Sequence, residues 1–176
     1  RVHGQERRYW HTRVGVGGRM DTLQCAIVLA KLERFDWELT RRREIGARYH
    51  QAFDGSAVGL LRVEPDRDCV WAQYTVFVDD REAIQAKLKV AGIPTAVHYP
   101  IPLNRQPAYA HLCCPECCPV SDAMAERVMS LPLSADLSFA QQDMVIAAVI
   151  EATGRAPISE ARPVDRVGMF SAAASR

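Results

Sequence analysis

The chain has 176 residues, enough for one domain with a real core and a fraction of a second. Its 48% apolar and 24% charged residues are those of an ordinary globular domain, and a formal charge of +1 gives no signal for nucleic acid or a strongly acidic partner. No apolar run approaches the roughly 20 residues needed to cross a bilayer, so no membrane partner is expected either.

Almost all the positive charge is arginine, because Lys31, Lys87 and Lys89 are the only lysines. Six cysteines in a largely helical chain suggest a reducing compartment and a cytoplasmic location. The first residues, Arg1-Val-His-Gly-Gln-Glu-Arg-Arg, have neither a starting methionine nor a signal-peptide core, and they read as the middle of something longer.

In chain order, Arg1 to Gly18 is polar, punctuated by glycine and expected to be loop. Within it Tyr9-Trp10-His11 could stack on a ligand or simply pack, and packing is the commoner role. Gly15-Val-Gly-Gly18 lacks the preceding strand and the Lys-Ser/Thr of a phosphate loop. Asp21 is a plausible N-cap with Gln24 three residues on, opening a helix whose stripe is Leu23, Ala26, Ile27, Ala30 and Leu32. The pattern pauses at Phe35-Asp36-Trp37 and resumes from Thr40 to Phe53, ending at Asp54-Gly55. Arg41, Arg42, Arg43 and Arg48 on this segment suggest a solvated face or an intersubunit surface.

From Gly59 the period becomes extended. Leu60 to Val63 reads as a strand, Pro65 to Asp68 as a turn, and Val70 to Val78 as a longer strand with Trp71, Gln73 and Tyr74 alternating between core and sheet face. Asp79-Asp80 would cap a helix to about Val90, with Gly92 as its stop signal. Thr95 to His98 is a third strand, closed by Pro100-Ile-Pro102. Proline has no N–H and pushes the preceding residue to extended geometry, so His98 and Tyr99 would be held as an imidazole and a phenol at a rigid strand end. On its own such a pair is more often rim or packing than site. Strand, strand, helix, strand makes an α+β layer with the helix on one sheet face.

Leu103 to Val120 is expected to be a long loop, Ser121 to Met129 a helix, and Leu131 and Leu133 frame a proline. Ser138 with Gln141 forms a capping box for a last helix to Ala152, followed by a tail expected to be disordered or non-native. Cys113-Cys114-Pro-Glu-Cys117-Cys118 has a zinc-like gap, but only His111 lies near it and no second pair follows. A redox pair would normally open a helix after a strand, so a plain loop without metal is the expectation.

Three segments in order, Gly15-Val-Gly-Gly-Arg-Met-Asp-Thr-Leu-Gln-Cys-Ala26, Val70-Trp-Ala-Gln-Tyr-Thr75 and Gly92-Ile-Pro-Thr-Ala-Val-His-Tyr-Pro-Ile-Pro-Leu103, resemble the C-terminal half of the DegT/StrS family of PLP-dependent nucleotide-sugar aminotransferases. The likeness runs from about Arg1 to Ile150 and is greatest to enzymes that aminate UDP-linked 3-oxo-glucuronate sugars for bacterial O-antigen synthesis. It implies an α/β, fold-type I architecture and an obligate homodimer. Residues 1–18 would be a loop of the large domain, 19–56 a bent helical link, 57–152 the small α+β domain and 153–176 the tail.

In the family an Asn of the glycine loop reaches the cofactor phosphate of the neighbouring subunit. Gly17 holds that position here and leaves only a backbone N–H for PLP. Arg19 matches the family arginine and could hold a substrate carboxylate or phosphate, or tie the loop to the helix start by a salt bridge. His98 and Tyr99 match the His-Tyr-Pro loop that lines the sugar-nucleotide site, where they would bond and shape, not transfer protons. Transamination also needs a lysine for the cofactor and an acid against its pyridine nitrogen, both upstream in the family. Lys31, Lys87 and Lys89 lie on helices in the wrong setting, so the chain alone is expected to be inactive. Its parent would use glutamate to aminate a UDP-sugar. A same-fold sugar dehydratase, with histidine for the lysine, and a non-catalytic dimerisation or binding remnant are the alternatives.

Overall fold

A computed structural model describes residues 2–17, 21–112, 114 and 116–154. Arg19 and the tail beyond Gly154 lie outside them. Helix α1 (Thr22–Leu32) starts as its sequence dictates, with the Asp21 carboxylate accepting from the Leu23 and Gln24 amides. The chain breaks at Glu33-Arg34, slightly before the expected pause, and α2 (Phe35–Phe53) runs to the predicted end. Ile45, Tyr49 and Phe53, four residues apart, are its fully buried stripe.

Three antiparallel strands, in the order β3 (Gly59–Leu60), β4 (Tyr74–Phe77) and β5 (Val128–Leu131), form the sheet. Tyr74, Val76 and Val78 alternate into the core beside Met129 and Leu131. Thr75 and Ser130, directly opposed across β4 and β5, occupy the other face. Helices α3 (Arg81–Val90) and α5 (Phe139–Thr153) pack on each other, and α5 also packs on α2. Ile84, Leu88, Val145 and Val149 close the core.

Several expectations are corrected. The strand expected over Leu60 to Val63 is only Gly59–Leu60. That over Val70 to Val78 is only Tyr74–Phe77, because Trp71 takes a φ of +51° and turns the backbone. The Trp71 indole instead lies 4.9 Å from the Tyr74 ring and packs over Gly46, where any Cβ would strike it. The strand at Thr95 to His98 shrinks to a single bridge between Ala96 and Ser130. Asp80 precedes α3 with a φ of 51° and gives no side-chain cap.

The helix expected to reach Met129 is α4 (Pro119–Arg127), and β5 follows it without a turn. The first residues are not all loop, since β1 (Gln5–Arg7) and β2 (Trp10–His11) pair as a hairpin. The arginines of α2 are more than a solvated face. Arg48 donates to Asp143 at 2.5 Å and to the Phe139 carbonyl at 3.3 Å, and Arg41 donates to the Leu137 carbonyl at 3.2 Å, clamping α2 to the start of α5.

The expected stop at Gly92 is borne out. Its amide bonds the Lys89 carbonyl at 3.1 Å and the Ile93 amide the Leu88 carbonyl at 2.8 Å, with Gly92 at a φ of +75°. The Ser138–Gln141 capping box is also present. No described helix is long and apolar enough to cross a membrane.

The two core phenols give the fold an alkaline limit. Burial pushes Tyr49 and Tyr74 well above the ordinary phenol range; Arg48 offsets this slightly at Tyr49, and Tyr49 adds to it at Tyr74. The folded values are raised, so the effect is nil below the ordinary value of about 10. Above it the unfolded chain sheds protons that the folded chain keeps, and stability falls by up to about 1.4 kcal/mol per pH unit per tyrosine. Denaturant midpoints should therefore drop between about pH 9 and pH 11 and drop less in Tyr74→Phe; a flat profile would contradict this burial.

Candidate functional site

The N-terminal hairpin reaches the rest of the fold through one buried amide. Gln106, only 5% exposed, accepts from the His11 amide at 2.9 Å and donates to the Tyr9 carbonyl at 3.0 Å. Its amide nitrogen also lies 3.4 Å from the Ile101 carbonyl, so the same side chain holds the proline-bounded loop. Tyr9 meets Tyr99 edge to face at a centroid distance of 5.7 Å, and Tyr99 meets His98 likewise at 5.6 Å. The His98–Tyr99 peptide is cis.

Between hairpin and loop lies a cavity of about 560 Å³. His3, Tyr9 and His11 line it from the hairpin side, His98 and Tyr99 from the other, with Ile101, Pro102, Met124 and Val128 as apolar wall. Helix α4, which supplies Met124, is fixed by Arg105, whose guanidinium donates to both Asp122 carboxylate oxygens at 3.0 and 2.8 Å. That bond holds the Asp122 carboxyl below the usual carboxylate range.

His98 is oriented from beneath, its Nδ1 3.0 Å from the Ser130 hydroxyl. Tyr99 is 59% exposed and lines the cavity. Apolar walls with a few imidazoles, phenols and amides suit a ligand that is partly ring and partly hydroxyl or carbonyl. No Lys, Arg, Asp or Glu lines the cavity among the described residues. The arrangement can hold and orient; it has no amine nucleophile and no acid–base carboxylate pair.

The residues singled out in the sequence fall unevenly on this cavity. His98 and Tyr99 line it, and so do Tyr9 and His11, for which packing was the commoner expectation. Gly17 stands at its margin, where a Cβ would run into the ring of His3. Sequence reasoning missed His3, Gln5 and Gln106, because lone polar residues in loops carry no periodic signal.

The test for PLP is negative within this chain. Lys31, Lys87 and Lys89 are exposed and away from the cavity, and Lys87 donates to the Ala152 carbonyl at 3.1 Å. Gly17 can offer a phosphate only its backbone. The described residues therefore do not form a Schiff-base site. No group of His, Cys, Asp and Glu among them could hold a metal either. Cys114 and Cys118 are free thiols, whereas Cys117 is disulfide-bonded.

Residues 1–150 match the model of the DegT/DnrJ/EryC1/StrS aminotransferase family. Among curated relatives, the UDP-2-acetamido-2-deoxy-3-oxo-D-glucuronate aminotransferase of Pseudomonas aeruginosa is 49% identical over 147 residues, covering 84% of this chain and 40% of the relative. Among solved structures, a family aminotransferase from Brucella abortus has a TM-score of 0.72 and 33% identity, covering 87% of this chain and 41% of its own. The PLP form of a Streptococcus pneumoniae sugar aminotransferase has a TM-score of 0.68 and 27% identity, covering 86% and 41%. The chain thus spans about 40% of the length of the curated relatives it matches. These neighbours are fold-type I aminotransferases and include a PLP form, consistent with five α-helices and two small antiparallel sheets among the described residues. Matched by the family model over residues 1–150, the chain belongs to the DegT/DnrJ/EryC1/StrS aminotransferase family.

Proposed function

We propose that this chain is the C-terminal, sugar-nucleotide-holding part of a PLP-dependent aminotransferase that aminates a UDP-linked keto-sugar, with glutamate as amino donor, in bacterial surface polysaccharide (O-antigen) synthesis. The observation that carries this is the 560 Å³ cavity in which His98 and Tyr99 face Tyr9 and His11. The name of the Pseudomonas aeruginosa relative supports a UDP-sugar over other nucleotide sugars. His98 and Tyr99 bond and shape the sugar nucleotide, Arg19 pairs with its acidic groups, and Gly17 meets the cofactor phosphate through its amide. The cofactor supplies the electron sink for moving the amino group. The 176 residues do not perform that step themselves, since no lysine lines the cavity.

The same reading makes residues 19–56 a helical link, 57–152 the small domain, and the functional unit a cytoplasmic homodimer. Its support is α1, which has no buried residue and exposes Leu23, Ile27, Val28, Leu29 and Leu32 by 46–69%. A second copy is the proposed cover for this stripe, and sedimentation at monomer mass would remove the dimer from the account.

Binding and turnover test the central reading together. UDP-N-acetylglucosamine should bind the chain, and His98→Ala should weaken it about tenfold, the equivalent of about 1.4 kcal/mol. The chain supplied with PLP, glutamate and a UDP-3-keto-sugar should form no amino sugar. Undiminished binding by His98→Ala would remove the site, and turnover would remove the claim of inactivity.

A further inference from the structure

The hydroxyl pair beneath His98 decides what that residue can offer a ligand. Thr75 and Ser130 face each other across β4 and β5, with Thr75 Oγ1 2.9 Å from Ser130 Oγ. Ser130 Oγ lies 3.0 Å from His98 Nδ1. Ser130 is only 5% exposed, and its backbone exchanges both hydrogen bonds with Ala96, at 2.8 and 3.1 Å. A residue held by two neighbouring segments has little freedom to point its hydroxyl elsewhere. Sheet register, not loop chemistry, therefore fixes the imidazole.

Three groups share two hydrogen bonds, and the protons can be counted. Thr75 and Ser130 each bring one hydroxyl proton. If Thr75 donates to Ser130 and Ser130 donates to His98, both hydroxyl protons are used and Nδ1 is an acceptor. Any other order needs a proton on Nδ1 and leaves a hydroxyl proton of Thr75 or Ser130 without a partner among the described residues. The first order leaves only the Nε2 proton unpartnered, on a ring that lines the cavity.

We propose that Ser130, backed by Thr75, is a positioning residue that fixes the neutral His98 ring with its proton on Nε2. Nε2 has no partner among the described residues, and His98 lines the 560 Å³ cavity. His98 then presents an N–H donor. Its complement in a ligand is an oxygen acceptor, such as a sugar carbonyl, hydroxyl or phosphate oxygen. Only the choice of ligand rests on the sugar-nucleotide reading above; the tautomer does not.

Histidine side-chain 15N spectra of the chain at about pH 8.5, two units above the ordinary imidazole value, read the tautomer directly. The unmodified chain should show His98 protonated at Nε2 with Nδ1 bare. Ser130→Ala should move the Nδ1 resonance and weaken UDP-N-acetylglucosamine binding about fivefold, and Ser130→Thr should restore both. An Nδ1–H tautomer in the unmodified chain overturns the proposal without requiring any variant to fold, and so does an unmoved Nδ1 resonance in Ser130→Ala. The expected tautomer together with undiminished binding by His98→Ala would instead remove the sugar-nucleotide reading and leave the positioning role standing.

Discussion

Tyr49→Ala should cost about 3–5 kcal/mol of stability, among the largest losses any single substitution in this chain produces. Tyr49 is fully buried on α2, its ring 4.9 Å from that of Tyr74 and 5.8 Å from that of Phe53, nearly parallel to the latter. Its hydroxyl donates to the Pro132 carbonyl at 2.9 Å, so it joins α2 to β4 and to the segment after β5. Truncation removes the aromatic packing, leaves a cavity and strands that carbonyl. With domains stable by only about 5–15 kcal/mol, a measurable unfolded population is expected. Tyr49→Phe separates the contributions, keeping the ring and losing the bond, for about 1–2 kcal/mol. Urea unfolding checks both; equal losses would mean that the hydroxyl, not the ring, dominates.

Gln106→Ala should have the largest effect on the site itself. The Gln106 amide bonds backbone groups of the hairpin at His11 and Tyr9, 95 and 97 residues away. An alanine leaves the His11 amide and the Tyr9 carbonyl without their partner, at about 1–3 kcal/mol each where they stay buried. The hairpin has two very short strands and, among the described residues, no other hydrogen bond to the rest of the fold, so it should relieve that cost by swinging off. Global stability should then fall little, while protection of residues 5–11 from hydrogen exchange is lost and UDP-N-acetylglucosamine binding weakens at least tenfold. A hairpin that stays protected in Gln106→Ala would show that Tyr9–Tyr99 packing alone suffices.

Local chemistry was readable at three helix ends, though not at Asp80, whose φ of 51° takes its side chain out of the expected cap. The Asp21 cap, the Ser138–Gln141 box and the Gly92 stop each depend on residues within one turn, and all three hold. The end of α2 at Phe53 was readable because Asp54-Gly55 marks it locally. Strand β5 was not, because Val-Met-Ser-Leu has weak strand preference and no turn before it. It is extended because β4 pairs with it residue for residue. Trp71 broke its expected strand for a tertiary reason, an indole fitted against Gly46 of α2.

The site shows the same division. His98 and Tyr99 could be singled out because two prolines mark a rigid exit and because a family motif covers them. Gln106 could not, since its role depends on a hairpin almost a hundred residues earlier. Ser130 was similarly silent, its hydroxyl acquiring meaning only when Ala96 and Thr75 bracket it.

A crystal structure of this chain with UDP-N-acetylglucosamine tests the central claim most directly. The account predicts the sugar between the hairpin and the His98 loop, with one of its oxygens within about 3 Å of His98 Nε2 and the Tyr9 and Tyr99 rings against it. A nucleotide sugar bound instead in the arginine-bordered hollow around Trp71, or a hairpin cavity left empty at saturating ligand, would contradict it.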